Sequence, residues 1–333
     1  MSGRSSDGDY RYRPPWWLRG AHVQTLWGRF ARRHPKVATT RECLIAPDGD
    51  NLELHHVASS RSTARVLLLH GLEGSLRSHY VSGILAQANA RGWGATLLVF
   101  RSCGSVPNTA RRFYHSGETS DLDFVVRTLA QRWPNSQWLL AGVSLGGNVL
   151  LKWLGERGAD LDARIRGAAA ISVPFDLEAG SRFISRGFSR VYDRSFLRSL
   201  RRKALAKLAS YPDLFDRDRA ERARTLYEFD DVVTGPVHGF ADAHDYYERS
   251  SSLGFLARIR VPTLLLSAAD DPFIPAEVLS RVRAVAAQNS AIRAEFHRHG
   301  GHVGFVAGAR PWRPFYYAEW RVFRYFDSLM ERQ

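Results

Sequence analysis

The chain has little cysteine and no long hydrophobic segment. Its 333 residues include only two cysteines, Cys43 and Cys103, which is too few for a disulfide framework or a cysteine-based metal cluster. No uninterrupted apolar run approaches the length that spans a bilayer, and the opening residues, MSGRSSDGDYRYRPPWW, lack the apolar segment of a secretion signal. We therefore expect a soluble, cytoplasmic protein.

Lysine is also scarce, although the chain carries a formal net charge of +14. Only four of the 47 basic residues are lysines, and the arginines are spread from end to end. Because no nucleic-acid-reading motif accompanies them, we expect no nucleic-acid partner. The positive charge is compatible with weak peripheral contact with anionic membranes. The sequence does not indicate the oligomeric state.

The most informative stretch is Trp138 to Leu151, WLLAGVSLGGNVLL. An apolar run typical of a buried strand leads into Gly-Val-Ser-Leu-Gly at 142–146, and apolar residues at helical spacing follow. A serine at such a strand-to-helix turn adopts a strained backbone conformation, so the residues two before and two after it must be almost free of side chain. Gly142 and Gly146 meet this need. The pattern predicts that Ser144 is a nucleophile at the positive end of a helix.

Strands and helices alternate on both sides of this turn. Short apolar strands are separated by helical patterns up to about residue 173 and again after residue 262, which predicts a mostly parallel central sheet with helices on both faces. The sequence PDGD at 47–50 lies between two strand-like segments and predicts an N-terminal antiparallel hairpin. The fold class is therefore α/β.

Four segments are predicted along the chain. They are an aromatic and basic N-terminal arm packed on the core (1–36), the first part of the α/β core (37–173), a helical cap or lid (174–257) and the second part of the core (258–333). In the cap, residues 196–208 form an amphipathic pattern with basic residues opposite the apolar ones. We expect this helix to be a domain surface with one buried side rather than a membrane-binding helix.

The sequence also predicts roles for several aromatic and polar residues outside the serine turn. Phe183, Phe188 and Phe196 are candidate walls of an apolar pocket beneath the cap. In the arm, His22 and Gln24 are expected to satisfy backbone polar groups rather than to act directly.

A serine nucleophile needs an imidazole to accept its proton and a carboxylate to orient that imidazole. For the acid we favour Asp271 over its neighbour Asp270, because Pro272 fixes the turn just beyond it. Asp176, which follows the preceding strand, is a weaker third candidate.

The candidate base is His302. It lies in a Gly-Gly loop that can bring it to the serine, whereas His297 lies within a predicted strand and His299 at its end. The order Ser, Asp, His, with each residue in a loop after a strand, matches the α/β-hydrolase arrangement. No metal or organic cofactor is expected in this chemistry.

The loop His70-Gly71-Leu72-Glu73-Gly74 follows an early buried strand. Its position upstream of the serine turn is suited to an oxyanion hole, whose donors would be the backbone N–H groups of Leu72 and Leu145. Gly71 allows the loop to pass close to the reacting atoms.

Several motifs taken together resemble one family, the YheT-like hydrolases, also called the AB hydrolase 4 family. They span nearly the whole chain and are WLRGAHVQTLW, HGLEG with SHY, YHSGET, GVSLGGN, FSRVYDRSFLRSLRRKAL, EFDD with HGFADAHDYY, DDPFIP and GGHVGF. The resemblance implies a serine esterase with the triad Ser144, Asp271 and His302, acting on acylglycerols or on phospholipids with shorter acyl chains. One segment departs from the family pattern: RSCGS stands at 101–105 where members usually carry RGCSG, which leaves the acyl preference open.

Two other functions remain open at this point. An acyltransferase would use the same acyl-enzyme with an alcohol in place of water. A binding protein on a hydrolase fold would need no intact triad, so the complete set of candidate residues counts against it.

Overall fold

A computed structural model describes residues 11–60, 63–105 and 108–331. The first ten residues of the predicted arm and residues 106–107 of the polar loop after the fourth strand lie outside this description. None of the helices in the described part of the chain combines the length and the apolarity needed to cross a membrane.

The described residues build one large sheet of eight strands. In chain order these are β1 (Thr40–Ile45), β2 (Asn51–Val57), β3 (Ala64–Leu69), β4 (Gly94–Val99), β5 (Gln137–Val143), β6 (Ile165–Ile171), β7 (Thr263–Ala268) and β8 (Ile292–His297). Their spatial order is β1-β2-β4-β3-β5-β6-β7-β8. Strand β2 is antiparallel to both of its neighbours, and all other pairings are parallel. The predicted mostly parallel sheet with an N-terminal antiparallel hairpin is confirmed.

Strands β3 to β7 are mostly apolar and almost entirely buried, because the sheet is covered on both faces. In chain order the helices outside the β6–β7 connection are α1 (Ala21–Phe30), α2 (His79–Ala90), α3 (Ser120–Arg132), α4 (Leu145–Arg157), α11 (Ala276–Ala287) and α12 (Tyr317–Met330). One core cluster contains side chains of α3, α4 and α11, and the other contains side chains of α2 and α12.

The connection from β6 to β7 is helical. Residues 172–262, all of which the structure describes, contain no strand. Their α-helices are α5 (Leu177–Ile184), α6 (Arg190–Lys207), α7 (Arg217–Arg222), α8 (Leu226–Phe229), α9 (Gly235–Val237) and α10 (Ala243–Ser250), with a π-helical turn at Asp230–Thr234. The amphipathic pattern predicted for 196–208 is the later part of α6.

The C-terminal region differs from the sequence prediction in one respect. The aromatic-rich amphipathic sequence at 314–330 predicts a helix over those residues, but the last helix begins at Tyr317. The residues before it form a small antiparallel ribbon of β9 (Val306–Arg310) and β10 (Arg313–Tyr316). Pro314 disfavours a helical conformation in the residue that precedes it, which suits this extended segment.

Candidate active site

Ser144 lies at the tight turn between β5 and α4. Its backbone has φ 54° and ψ −121°, a conformation that is costly for a residue with a side chain. A Cβ atom at Gly146 would lie 2.4 Å from the carbonyl oxygen of His70, and one at Gly142 would lie 2.6 Å from that of Gly146. Backbone atoms cannot retreat from such contacts, so both flanking positions require glycine.

The structure brings the three predicted residues of the triad together. The Oγ atom of Ser144 lies 2.9 Å from Nε2 of His302. On the other side of the ring, Nδ1 of His302 lies 2.9 Å and 3.1 Å from the two carboxylate oxygens of Asp271. The side chain of Asp271 is fully buried, and its carboxylate also accepts a hydrogen bond from the backbone N–H of Phe273 at 2.8 Å. This carboxylate is therefore fixed, and with Nδ1–H facing it the ring presents Nε2 to the serine as a proton acceptor.

The other candidates for acid and base have different partners. Asp270 accepts from the backbone N–H of Gly301 at 2.9 Å and lies 3.2 Å from Nδ1 of His299. His297 is in β8 and packs edge-on against Tyr317. Asp176 caps α5 and pairs with Arg281 at 2.6 Å. The adjacent aspartates thus have different partners: Asp271 contacts the histidine, and Asp270 contacts the loop that carries it.

The loop after β3 lies against the serine. A Cβ at Gly71 would lie only 3.1 Å from Cβ of Ser144, and its N–H donates to the Tyr80 hydroxyl at 2.7 Å. Leu145 is the first residue of α4, so its N–H has no acceptor within the helix. Leu72 lies in the loop after β3, and Leu145 directly follows Ser144. Both N–H groups therefore belong to segments that lie next to the serine.

His70 holds this loop in place as a neutral side chain. Its Nδ1–H donates to the carbonyl of Gly71 at 2.7 Å, and its Nε2 accepts from the N–H of Phe100 at 3.0 Å. Burial lowers the pKa of His70 to about 4. The ring therefore keeps one donor and one acceptor at neutral pH, as these two bonds require.

The N-terminal arm supports the histidine loop, which the sequence did not reveal. The hydroxyl of Thr25 accepts from the N–H of His302 at 2.9 Å. Gln24 donates to the carbonyl groups of Leu18 and Val306 and accepts from the N–H of Val306, so its predicted role in satisfying backbone groups is confirmed. For His22 the expectation is wrong, because its Nδ1 lies 3.2 Å from the hydroxyl of Tyr192 on α6.

A cavity of about 690 Å³ opens beside Ser144. Its walls come from the loop after β3, from α1, and from α5, α6 and the segments around α8 to α10. Of the three predicted aromatic walls, only Phe196 lines it. Phe183 and Phe188 are 37% and 56% exposed on the outside. Their helical phase places them on the solvent side, which a hydrophobic pattern alone did not distinguish.

A polar cluster spans the cavity next to the loop after β3. The carboxylate of Glu73 lies 2.8 Å from Nζ of Lys203 and accepts from the hydroxyls of Tyr114, at 2.9 Å, and Ser199. Lys203 and Ser199 are on α6. Lys207 also points inward, to the carbonyl of Ala110. The expected segregation of basic residues on the outer face of this helix is therefore wrong for its two lysines.

At another part of the cavity wall, Asp230 begins the π-helical turn. Its carboxyl group accepts from the hydroxyl of Tyr247 at 2.6 Å and from that of Thr234. Burial raises the pKa of Asp230 to about 6. The motifs EFDD and HGFADAHDYY thus meet at the cavity, through Asp230 and Tyr247.

Comparison with known proteins shows which family the chain resembles. A family model described as the alpha/beta hydrolase fold matches residues 64–309. The chain is 39% identical to "Putative esterase YheT" of Escherichia coli (strain K12), over 86% of this chain and 84% of that protein. It is 31% identical to a monoacylglycerol lipase of Saccharomyces cerevisiae (strain ATCC 204508 / S288c), over 70% of this chain and 52% of the lipase.

Solved structures share the fold at low sequence identity. The esterase Pf2001 of Pyrococcus furiosus superposes with a TM-score of 0.60 at 16% identity, covering 97% of this chain and 99% of the esterase. Together with the match of the family model and the similarity to YheT, this establishes that the chain belongs to the alpha/beta hydrolase family, among the YheT-like hydrolases.

Proposed function

We propose that the protein is a serine esterase that cleaves carboxylic esters of short- to medium-chain acyl groups through an acyl-enzyme. Relatives named as an esterase and a monoacylglycerol lipase support ester hydrolysis as the general activity. The observation that carries the finer proposal is the chain of contacts from Ser144 through His302 to Asp271, each at hydrogen-bonding distance. Acylglycerols or phospholipids are the proposed substrate class.

In the proposed first step, Nε2 of His302 takes the proton of Ser144 as Oγ attacks the carbonyl carbon of the ester. Asp271 holds the ring in the required tautomer and stabilises the positive charge that forms on it. The N–H groups of Leu72 and Leu145 are the proposed donors to the oxyanion. When the tetrahedral intermediate collapses, the C–O bond to the alcohol breaks and His302 returns the proton to the leaving oxygen.

In the second step water replaces the alcohol. His302 takes a proton from the water molecule, whose oxygen attacks the acyl carbon; the ester bond to Ser144 then breaks as His302 returns the proton to Oγ, which releases the carboxylic acid and restores the enzyme. Helices α5, α6, α8 and α10 contribute to the cavity wall. We propose that the cap, residues 174–257, covers the bound acyl chain and controls how much water reaches it.

Steady-state kinetics with a series of soluble esters test this function. Ser144→Ala should lose turnover while keeping the melting temperature of the wild type, because a partly exposed hydroxyl at the turn contributes little packing. Product analysis with and without added alcohol distinguishes hydrolysis from acyl transfer. Turnover that survives Ser144→Ala would contradict the proposal, and a transesterified product in place of free acid would indicate an acyltransferase.

A further inference from the structure

Helix α1 and the start of α6 both contribute to the cavity wall, and each of these segments also presents apolar side chains to solvent. In α1, Val23 and Phe30 are 45% and 75% exposed. At the start of α6 and just before it, Val191 and Phe188 are each 56% exposed. Large apolar groups exposed singly are common on protein surfaces, but a contiguous set beside a binding cavity marks an interaction surface.

These four residues lie on neighbouring segments, because the start of α1 contacts the start of α6 and the turn before it. The ring of His22 in α1 lies 4.5 Å from the ring of Phe188, between centroids, and its Nδ1 lies 3.2 Å from the hydroxyl of Tyr192. In α1, residues 23 and 30 are seven apart and therefore share a helical face. We call this surface, formed by Val23, Phe30, Phe188 and Val191, the docking rim.

The same helices also line the cavity. Thr25, Leu26 and Arg29 of α1 and Tyr192, Ser195 and Phe196 of α6 are wall residues. The docking rim is therefore carried by the same two segments that form part of the cavity wall. A hydrophobic surface pressed against the rim would be continuous with the apolar wall inside.

The charge around the docking rim has one sign. Residues 11–36 contain seven basic and no acidic residues. Near the start of α6 the only acid between residues 185 and 195 is Asp193, which is 2% exposed. Five arginines around the rim are exposed and form no ion pair with a carboxylate of the described residues: Arg29, Arg33, Arg186, Arg190 and Arg194. Exposed apolar groups among unpaired arginines are complementary to an anionic lipid surface, into which such apolar side chains insert at the headgroup boundary.

We propose that the docking rim binds an anionic lipid surface and so places the mouth of the cavity against it. This proposal rests on the proposed function, because binding to the surface would serve to admit lipid esters directly into the cavity. The binding itself needs no turnover. The docking rim is distinct from the basic residues in the later part of α6, where both lysines point inward.

The test is co-sedimentation with vesicles of phosphatidylcholine, with and without phosphatidylglycerol, over a salt series. The wild type should bind the anionic vesicles and not the neutral ones. The double variant Phe30→Glu with Phe188→Glu should bind at least tenfold more weakly at every salt concentration. Arg33→Gln with Arg190→Gln should weaken binding at low salt and make the remainder less salt-dependent.

Ile45→Glu is the matched control, because Ile45 is 63% exposed but lies on the edge strand β1. It should bind like the wild type. If Phe30→Glu with Phe188→Glu lowers the melting temperature, Val23→Ser with Val191→Ser tests the same surface. All variants should keep the wild-type rate on a soluble short-chain ester, which reports on the proposed function separately.

Failure of the wild type to bind anionic vesicles would overturn the docking proposal even if ester hydrolysis is present. Equal losses in the rim and control variants would do so as well. Equal binding to neutral and anionic vesicles would overturn the assignment of an anionic surface. Loss of ester hydrolysis in the wild type, with intact vesicle binding, would instead contradict the proposed function alone.

Discussion

The carboxylate of Glu73 and the Nζ atom of Lys203 are 2.8 Å apart, and this ion pair joins the loop after β3 to helix α6. Glu73 directly follows Leu72, a proposed oxyanion donor, and has a positive φ of 55° that is unfavourable for a glutamate. Its backbone N–H also donates to the hydroxyl of Tyr114 at 2.9 Å. The position of the loop after β3 and the position of α6 are therefore linked by direct contacts.

We expect Lys203→Met to lower kcat about tenfold, which corresponds to about 1.4 kcal/mol in the barrier. The reason is that Glu73 loses the cation that holds its strained loop, so the N–H of Leu72 is less well placed for the oxyanion. Arg202→Met, one residue earlier and exposed, is the control. Kinetics on a soluble ester measure the effect, and an unchanged kcat in Lys203→Met would show that the pair does not position the loop.

The adjacent aspartates should differ sharply in their effect on turnover. Asp271→Asn should lower kcat by about 10⁴, because an amide no longer enforces the tautomer in which Nε2 of the histidine accepts a proton. Asp270→Asn should cost less than about tenfold, since Asp270 contacts only the loop and His299. Single-turnover rates of both variants provide the measurement, and the opposite ranking would assign the acid to Asp270.

The cavity should select acyl chains of intermediate length. Each buried methylene group contributes up to about 0.8 kcal/mol until the cavity is full, so kcat/KM should rise from acetyl esters to a maximum and then fall. Phe196→Ala should move the maximum to longer chains because it enlarges the wall, whereas Phe183→Ala, on the exposed side of α5, should leave it in place. A flat or steadily decreasing profile in the wild type would exclude an apolar acyl pocket.

Stability towards acid should depend on Asp50, which is 1% exposed. Burial disfavours the charge of Asp50, but the N–H groups of Thr109, Asn51 and Ala110 and the guanidinium of Arg101 outweigh it and hold the pKa well below 3.8. Because the folded-state pKa is depressed, this stabilisation is complete above the unfolded-state pKa of 3.8 and is lost as the pH falls through the lower folded-state value.

Asp50→Asn should therefore lower the free energy of unfolding by about 3 kcal/mol at pH 7, and the difference from the wild type should shrink below pH 3.8. Denaturant titrations at pH 7 and in acid give both values. Asp213→Asn, which removes an exposed partner of Arg111, is the control and should change little at either pH. A difference that stays constant into acid would mean that ionisation of Asp50 is not the cause.

The serine turn and the α/β sheet could be predicted from sequence because each depends on local constraints. The two glycines around Ser144 indicate a backbone that tolerates no Cβ atom. The apolar strands indicate a sheet that is covered on both faces. The choice between Asp270 and Asp271 also followed from a local feature, the turn at Pro272. In the structure Asp271 is the one that contacts His302.

Contacts between distant segments could not be predicted in this way. Thr25 reaches the N–H of His302 across 277 positions of the chain, and Lys203 reaches Glu73 across 130. A periodic pattern shows which residues share a helical face but not what that face contacts in the fold. It therefore did not show that Phe183 and Phe188 lie outside the cavity. The motifs at 70–74 and 78–80 are close in sequence and also in contact, because the hydroxyl of Tyr80 accepts from the N–H of Gly71.

The most direct test of the catalytic account is labelling with a fluorophosphonate, followed by intact-mass and peptide analysis. We expect a single adduct on Ser144 in the wild type, no adduct in Ser144→Ala, and much slower labelling in His302→Ala, because the imidazole must take the serine proton. An adduct on another residue, or a labelling rate that is the same with and without His302, would contradict it.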